Sequence, residues 1–319
     1  MSFLNRIAGI SEDSSISGLA RFAVPGDRRY DGAGRGNLGL GHEVKGWRVT
    51  ERFAIVGRCM TAESSALKRE LCEYLAGFVS ENKRALFDEA LAWRTRHLAV
   101  VLEDIADSRD ASAVIRSCEC YGVQDFYVIA RRRSFQVRLG VAMGAAKWID
   151  LHHLGRHEEA SLDSLRDAGY RIAALSTRPD AMPLDRVPIA EPLAFVFGTE
   201  DLGLGEETHA AADYHVRVPS HGVGAKYNLS VCAGLVLYDV TRRLRASSHD
   251  WRLSEDARLD LLLEWYAKIP KSRESLVRRF LQERGLDWSV LERPPFSPKL
   301  PAVLTHSGKW TKGPKKTNR

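Results

Sequence analysis

The sequence predicts an α/β protein whose core is a parallel sheet with helices on both faces. Short, largely apolar runs recur between residues 97 and 246, and such runs are typical of strands buried on both faces. Helical patterns lie between most of these runs, and this alternation predicts a parallel sheet. Polar segments follow several of the runs, where the carboxyl ends of parallel strands share one edge.

The chain before the predicted sheet divides into two parts. Residues 1–60 are rich in Gly, Arg and Asp, which predicts an irregular or disordered extension. Gly34, Gly36 and Gly39 have the spacing of a dinucleotide-binding fingerprint, but that fingerprint requires a strand before it and a helix after it. The flanking residues predict neither, so a flexible segment is favoured and a nicotinamide dehydrogenase is a remote alternative. Residues 61–96 carry apolar residues at spacings of three and four, which predicts two helices.

The predicted α/β domain spans residues 97–246. Its strand candidates are the apolar runs 98–102, 126–129, 148–151, 170–175, 193–197 and 214–218. Its helix candidates are 111–121, 158–168, 205–212 and 228–244. A C-terminal helical extension is predicted over 247–285, capped by Ser254 and split by Pro270. Residues 286–319 predict a basic disordered tail, because 309–319 contains five cations and no acid.

Composition narrows the class of protein. The 319 residues are 44% hydrophobic and 28% charged, which is ordinary for a globular chain. A net charge of +6 and a pI near 9.1 suggest an anionic partner such as nucleic acid, although many basic proteins bind none. The five cysteines lack Cys-x-x-Cys spacing, which favours the reducing cytoplasm. The sequence predicts no membrane span, no signal peptide and no metal site.

Three polar segments carry the candidate chemistry, and they span residues 110–116, 198–203 and 226–230. Each lies where an apolar run gives way to a helical pattern, so all three are expected to line one site at the sheet edge. Taken singly, Asp110 and Asn228 can be read as helix caps. Glu200 can be a helix-initiating carboxylate and Arg116 a surface cation. The conjunction of the three segments favours an active site.

Four short motifs occur in order along the chain: Asp110-x-x-Ala113-x-x-Arg116, Gly198-x-Glu200, Val218-Pro219 and Asn228-x-Ser230. Their order and spacing resemble the SPOUT superfamily, and most closely its SpoU/TrmH branch of RNA ribose 2′-O-methyltransferases. The resemblance covers residues 78–284 and extends to the tRNA guanosine-2′-O-methyltransferase members of that branch.

This resemblance implies a deep trefoil knot in the sheet, a homodimer, and S-adenosyl-L-methionine as the methyl donor. The adenosyl moiety would contact the main chain near Leu175, Gly198, Val218 and Tyr227. The reaction would methylate a ribose 2′-hydroxyl in tRNA, in this branch typically that of guanosine 18 in the D-loop.

The resemblance gives the central catalytic role to Arg116. An arginine is protonated at neutral pH, so we expect a cationic Arg116 that binds the neighbouring phosphate and the 2′ oxygen, while phosphate or water accepts the proton. Glu200 and Asn228 would position this arginine and the knot loops. Asp110 replaces the family's usual asparagine within the catalytic set, and its carboxylate could pair with Arg116. Lys226 replaces a usual serine and adds a cation beside the sulfonium or the RNA.

Basic residues after the second strand are expected to contact tRNA phosphates together with Lys226. They are Arg131, Arg132, Arg133 and Arg138. Arg94 and Arg96, before the first strand, would extend this surface. Two alternatives stay open: ribosomal RNA as the substrate, and a non-catalytic RNA-binding protein of the knotted fold in which Asp110 and Lys226 mark a retired site.

Overall fold

The computed structural model describes most of the chain from the first predicted helix onward. The described residues are 62–105, 107–132, 135, 137–156, 162–223, 226–291, 303–304 and 310–311. The predicted extension 1–60 lies outside them, as do Arg133 and most of the predicted tail. Within these ranges, no helix is long and apolar enough to cross a membrane.

Seven parallel strands form the central sheet. They are β1 (Thr95–Glu103), β2 (Val123–Ala130), β3 (Asp150–Arg156), β4 (Arg171–Leu175), β5 (Met182–Pro183), β6 (Leu193–Phe197) and β7 (Tyr214–Arg217). Their order across the sheet is β3-β2-β1-β6-β4-β7-β5, and every neighbouring pair is parallel. The predicted parallel α/β architecture is therefore confirmed. The short edge strand β5 was absent from the sequence prediction, because two residues ending in proline show no strand pattern.

Nine α-helices occur among the described residues. They are α1 (Ala62–Ala76), α2 (Glu81–Ala92), α3 (Ser108–Cys120), α4 (Leu139–Ala142), α5 (Asp163–Asp167), α6 (Glu206–Ala211), α7 (Leu229–Ala246), α8 (Glu255–Ala267) and α9 (Arg273–Gln282). A short antiparallel pair, β8 (Val303–Leu304) with β9 (Trp310–Thr311), lies in the predicted tail. The helix predicted over 158–168 is observed only from Asp163.

The sheet is covered on both faces, as predicted. Alternate residues of β1 point to opposite sides, so Val100 packs into a cluster containing Val114 of α3 and Val236 of α7. Val101 packs on the other side, in a cluster containing Leu165 of α5. This double burial explains why the strands appear as continuous apolar runs rather than alternating ones.

The helices from the two ends of the chain form one helical module. Residues of α1, α2, α8 and α9 share a single hydrophobic cluster, in which the Phe87 and Trp265 rings lie 5.2 Å apart. Lys68 of α1 pairs with Asp260 of α8 at 2.7 Å. The packing continues beyond the predicted end of the helical extension, since Leu291 is also buried in this cluster.

A buried ion network holds the amino-terminal edge of the sheet. Arg96 in β1 pairs with Asp125 in β2, and with Asp150 in β3 at 2.6 Å. His152 lies 2.9 Å from Asp125, and the Tyr170 hydroxyl donates to the Arg96 carbonyl at 2.8 Å. Burial acts to raise the pKa of Asp125, but the Arg96 charge and the His152 hydrogen bond outweigh it and hold that pKa below its usual value.

We predict that Asp125→Asn lowers the free energy of unfolding at pH 7. Breaking a fully buried pair costs about 3–5 kcal/mol. Because the Arg96 side chain is 34% exposed, solvent screens the pair and we expect a loss of about 2 kcal/mol. The lowered pKa of Asp125 stabilises the fold above the pKa of an unfolded aspartate, and this contribution disappears as the pH falls through the folded value. The difference in free energy of unfolding between Asp125→Asn and wild type should therefore become smaller as the pH falls.

Urea denaturation at several pH values measures this gap. Glu191→Gln is the control, because Glu191 forms a half-exposed ion pair with Arg171 and its loss should change stability little. The prediction would be contradicted if both variants lost the same free energy of unfolding. It would also be contradicted if the difference between Asp125→Asn and wild type did not change with pH.

Candidate active site

The three polar segments meet at the carboxyl-terminal edge of the sheet. Segment 110–116 belongs to α3, which follows β1, while Glu200 follows β6 and Asn228 follows β7. The cap of α3 is Asp107, whose carboxylate accepts from the Arg109 N–H at 2.7 Å. Asp110 is therefore the third residue of the helix, and the reading of Asp110 as its cap is wrong. Its carboxylate remains available for other contacts.

The side-chain amide of Asn228 joins the three segments. Its Oδ1 accepts from the Ser230 N–H at 3.0 Å, which caps α7 as the sequence suggested. Its Nδ2 donates to Glu200 Oε1 at 2.8 Å and to Asp110 Oδ1 at 3.1 Å. Glu200 Oε1 also accepts from the Leu229 N–H at 3.0 Å, at the start of α7. One amide thus links two carboxylates that come from different segments.

The loop carrying Glu200 is a tight turn. Thr199 and Gly203 exchange backbone hydrogen bonds of 3.1 and 2.9 Å. A Cβ on Gly198 would lie 2.2 Å from the Gly203 carbonyl oxygen, so only glycine fits there. This close approach fixes where the Glu200 side chain leaves the loop.

Lys226 and Tyr227 hold the loop before α7. The Lys226 ammonium donates to the Glu200 carbonyl at 3.1 Å, and the Tyr227 hydroxyl donates to the Pro219 carbonyl at 3.0 Å. Both residues are exposed, so Lys226 keeps further N–H groups for a ligand.

Arg116 lies apart from this junction within the chain. It is exposed on α3, six residues or about 1.7 helical turns beyond Asp110, and residues six apart do not share a helix face. Among the described residues, no ion pair or hydrogen bond joins Arg116 to Asp110, Glu200 or Asn228. Within one chain, therefore, Asp110 does not pair with Arg116, and the contacts of Glu200 and Asn228 hold loops.

The residues proposed to contact an adenosyl group follow neighbouring strands. Leu175 ends β4, Gly198 follows β6 and Val218 follows β7, and these strands are adjacent in the order β6-β4-β7. Leu175 and Val218 are partly buried against the main core, and Tyr227 is 39% exposed. The partly buried apolar side chains of Leu175 and Val218 could form part of the wall of a ligand pocket at these strand ends.

The predicted RNA-contacting arginines separate into two groups. Arg131 is paired with Glu103 at 3.6 Å and Glu207 at 3.2 Å, and its side chain is only 15% exposed. Its observed role is to tie β1 to α6, which corrects the expectation of a phosphate contact. Arg132 and Arg138 are exposed near the start of α3, where Arg138 Nε donates to Ser108 Oγ at 2.8 Å. Arg133 lies outside the described residues.

Arg94 and Arg96 do not reach this edge. Arg94 is buried, with its guanidinium 3.1 Å from Glu119 and packed over the Trp265 ring. Arg96 belongs to the ion network at the opposite edge of the sheet. The expectation that both extend the RNA surface is wrong, since each neutralises acids that lie far away in sequence.

Comparison with known proteins gives the family. A family model described as the SpoU rRNA methylase family matches residues 97–238. A tRNA (guanosine(18)-2′-O)-methyltransferase of Borreliella burgdorferi is 36% identical over 198 residues, which cover 62% of this chain and 90% of that protein. The chain belongs to the SpoU methylase family. It is accordingly a methyltransferase.

Other relatives agree with this assignment. The enzyme of the same name from Thermus thermophilus is 30% identical over 192 residues, which cover 59% of this chain and 98% of the relative. The crystal structure of an Aquifex aeolicus TrmH/SpoU tRNA modifying enzyme has a TM-score of 0.54 at 24% identity, covering 59% of this chain and 96% of its own. That similarity confirms the SpoU fold.

We predict that Asn228→Asp destabilises the protein at neutral pH. Aspartate keeps the cap of α7, but it removes the donor and places a third carboxylate beside Glu200 and Asp110. We expect a loss of about 1 kcal/mol, because exposed charges are screened.

The control for this experiment is Asn228→Ser, which keeps a capping oxygen and adds no charge. Thermal unfolding of both variants at neutral pH gives the comparison. If Asn228→Asp loses no more stability than Asn228→Ser, the amide does not act as a spacer between the two carboxylates.

Proposed function

We propose that this chain transfers a methyl group from S-adenosyl-L-methionine to the ribose 2′-hydroxyl of guanosine 18 in tRNA. One observation carries the proposal: Asp110, Glu200 and Asn228 converge at the carboxyl edge of a SpoU-family sheet. The Borreliella relative, which is named for this reaction, supports the choice of substrate.

S-adenosyl-L-methionine supplies an electrophilic methyl group on a sulfonium. Leu175, Gly198, Val218 and Tyr227 would hold its adenosyl part at the ends of β4, β6 and β7. The carboxylate of Glu200 makes this edge favourable for a cation.

Arg116 is proposed to bind the substrate rather than to position the loops. A protonated guanidinium can grip the phosphate beside the target ribose and polarise the 2′ oxygen. Its exposure and its lack of an ion pair within the described chain leave its donors for the RNA. Arg132, Arg138 and Lys226 are proposed to contact further phosphates.

A homodimer is proposed from an apolar stripe on α7. Val231, Leu235 and Tyr238 are 51%, 39% and 56% exposed, and their spacing of four and three places them on one helix face. An exposed apolar stripe of this kind is typical of an interface. A second copy is the proposed occupant, because Arg116 does not meet the Asn228 junction within one chain.

A trefoil knot and a cytoplasmic location complete the proposal. Strand β6 inserts between β1 and β4, β7 inserts between β4 and β5, and α7 then returns to pack on α3. This order supports a threaded path for residues 193–246. Cys72, Cys118, Cys120 and Cys232 are unpaired, which suits a reducing compartment.

Nucleoside mass spectrometry tests the proposed activity. Purified protein, S-adenosyl-L-methionine and unmodified tRNA should yield 2′-O-methylguanosine, and 2′-deoxyguanosine at position 18 should abolish the product. Methylation of ribosomal RNA alone would transfer the activity to the ribosomal alternative. RNA binding without methylation of either substrate would support the non-catalytic alternative.

We predict that Arg116→Ala reduces methyl transfer at least a hundredfold, because it removes a donor that stabilises developing charge. Binding of S-adenosyl-L-methionine, measured by calorimetry, should stay within threefold of wild type. Arg171→Ala is the control, since Arg171 is an exposed arginine at the opposite edge of the sheet. Transfer by Arg116→Ala within tenfold of wild type would remove Arg116 from the mechanism.

We predict that the wild type sediments as a dimer at sub-micromolar concentration and that Leu235→Asp sediments as a monomer. A buried charge at the centre of an apolar contact lacks a partner and is expensive. Leu86→Asp in α2 is the control, because Leu86 is 50% exposed but lies in the helical module. An unchanged dimer in Leu235→Asp would place the interface elsewhere.

A further inference from the structure

The helix α6 begins without a side-chain cap of its own. Its cap position is Gly205, whose backbone is extended at φ −69° and ψ 154° and which has no side chain to accept a hydrogen bond. The first N–H groups of a helix have no acceptor within the helix, and a side-chain oxygen usually satisfies one of them. The start of α6 therefore needs an acceptor from another part of the chain.

Glu103, the last residue of β1, provides this acceptor. Its Oε1 accepts from the Gly205 N–H at 2.9 Å, and its Oε2 accepts from the Thr208 hydroxyl in the first turn of α6. Both Glu103 and Thr208 are buried, at 4% and 0% exposure. A carboxylate that uses one oxygen on the backbone and the other on a side chain fixes both the position and the orientation of the helix start.

The contact between Gly205 and Glu103 is closely fitted. The backbone of Gly205 lies in a region that any residue adopts, so no backbone strain requires glycine there. A Cβ on residue 205, however, would lie 2.9 Å from Glu103 Oε1. The buried charge is compensated as well, since Arg131 lies 3.6 Å from the same oxygen. The contact thus depends on a glycine at one end and on a paired carboxylate at the other.

The segment that this contact anchors is the loop that carries Glu200. Residues 198–205 connect β6 to α6, with the tight turn at the beginning of the loop and the Glu103 contact at its end. Between these two points, the carboxylate of Glu200 accepts from the amide of Asn228. A change at Glu103 therefore reaches the candidate site through the backbone of this loop, although Glu103 itself is buried.

We propose that Glu103 is a positioning residue for methyl transfer, which holds the loop 198–205 in the conformation that binds S-adenosyl-L-methionine. This inference rests on the proposed function, in which Gly198 contacts the adenosyl group. Glu103 acts through Gly205 and Thr208 and touches no reacting atom. Its loss should therefore weaken cofactor binding without removing a contact to tRNA.

Two substitutions of Glu103 separate the effect of the hydrogen bonds from that of the charge. Glu103→Ala removes both acceptors, and we expect it to raise the Kd of S-adenosylhomocysteine, measured by calorimetry, about tenfold. Glu103→Gln keeps an oxygen for the Gly205 N–H, and its amide can donate to the Thr208 hydroxyl. The glutamine variant should therefore bind within twofold of wild type. Binding of unmodified tRNA by both variants should also stay within twofold, because phosphate contacts come from other residues.

Glu264→Ala is the matched control. Glu264 is also a buried, paired carboxylate, with 6% exposure and Lys268 at 2.7 Å, but it belongs to α8 in the helical module. Removal of either glutamate should lower the free energy of unfolding, because each leaves a cation without its partner. Only Glu103→Ala should change the Kd of S-adenosylhomocysteine, and Glu264→Ala should stay within twofold of wild type. The comparison separates an effect on the loop from a general loss of stability.

Hydrogen exchange tests the anchor without any ligand. In Glu103→Ala the amides of residues 198–205 should exchange about tenfold faster than in wild type, while those of α8 should not change. Gly205→Ala should speed the same amides about fivefold, because the new Cβ displaces the carboxylate. Added to Glu103→Ala, it should have no further effect, since the atom that the Cβ would meet is absent. If Glu103→Ala does not fold, Gly205→Ala carries the test, with the same fivefold effect expected on the Kd of S-adenosylhomocysteine.

The outcomes distinguish the two proposals. A wild type that binds no S-adenosylhomocysteine and transfers no methyl group would overturn the proposed function and the positioning role together. If the wild type binds it, a Kd within twofold for folded Glu103→Ala, or an equal loss in Glu264→Ala, would overturn only the role of Glu103. The same holds if Glu103→Gln binds as weakly as Glu103→Ala, or if exchange of residues 198–205 is unchanged in Gly205→Ala.

Discussion

The side-chain amide of Asn228 is the contact on which the candidate site depends. A parallel sheet brings the ends of its strands to one edge, but it does not by itself fix the side chains that project from them. Here the two amide protons are divided between Glu200 and Asp110, while the amide oxygen caps α7. Two like charges are thereby kept close without a cation between them. Exchange of this amide for any group that is only an acceptor removes the arrangement.

Several arginines of the domain are paired with acids away from the Asn228 junction. Arg96 neutralises Asp125 and Asp150 at the opposite edge, and Arg131 neutralises Glu103 beside α6. Among the described residues, Arg132 and Arg138 are exposed cations near the site, and the backbone N–H of Arg132 donates to the Asp104 carboxylate at 2.7 Å. Fewer arginines are therefore accessible at this edge than the arginine count of the chain suggests.

The sequence was most informative where burial leaves a local signature. Strand β6 coincides with the predicted run 193–197, because burial on both faces demands an uninterrupted apolar segment. The errors came from long-range pairing: Arg131 and Arg132 are adjacent in sequence, yet only Arg131 meets Glu103 across the sheet. The sequence also did not show that Asp110 is the third residue of α3, because Asp107 and Asp110 are equally good caps by residue type. The junction at Asn228 requires three loops to converge, and no local pattern encodes that.

The helical module has a consequence for how the protein is made. Its core combines α1 and α2 with α8 and α9, and the Lys68–Asp260 pair spans 192 positions of the chain. Chain synthesis at about 5–20 residues per second would separate the emergence of these partners from the ribosome by roughly 10–40 s. During that interval Leu71, Leu75 and Phe87 have no partners from α8 and α9, while the sheet domain forms between them. Folding of the amino-terminal helices therefore waits for the carboxyl-terminal ones, and the nascent chain is most vulnerable to aggregation before the module closes.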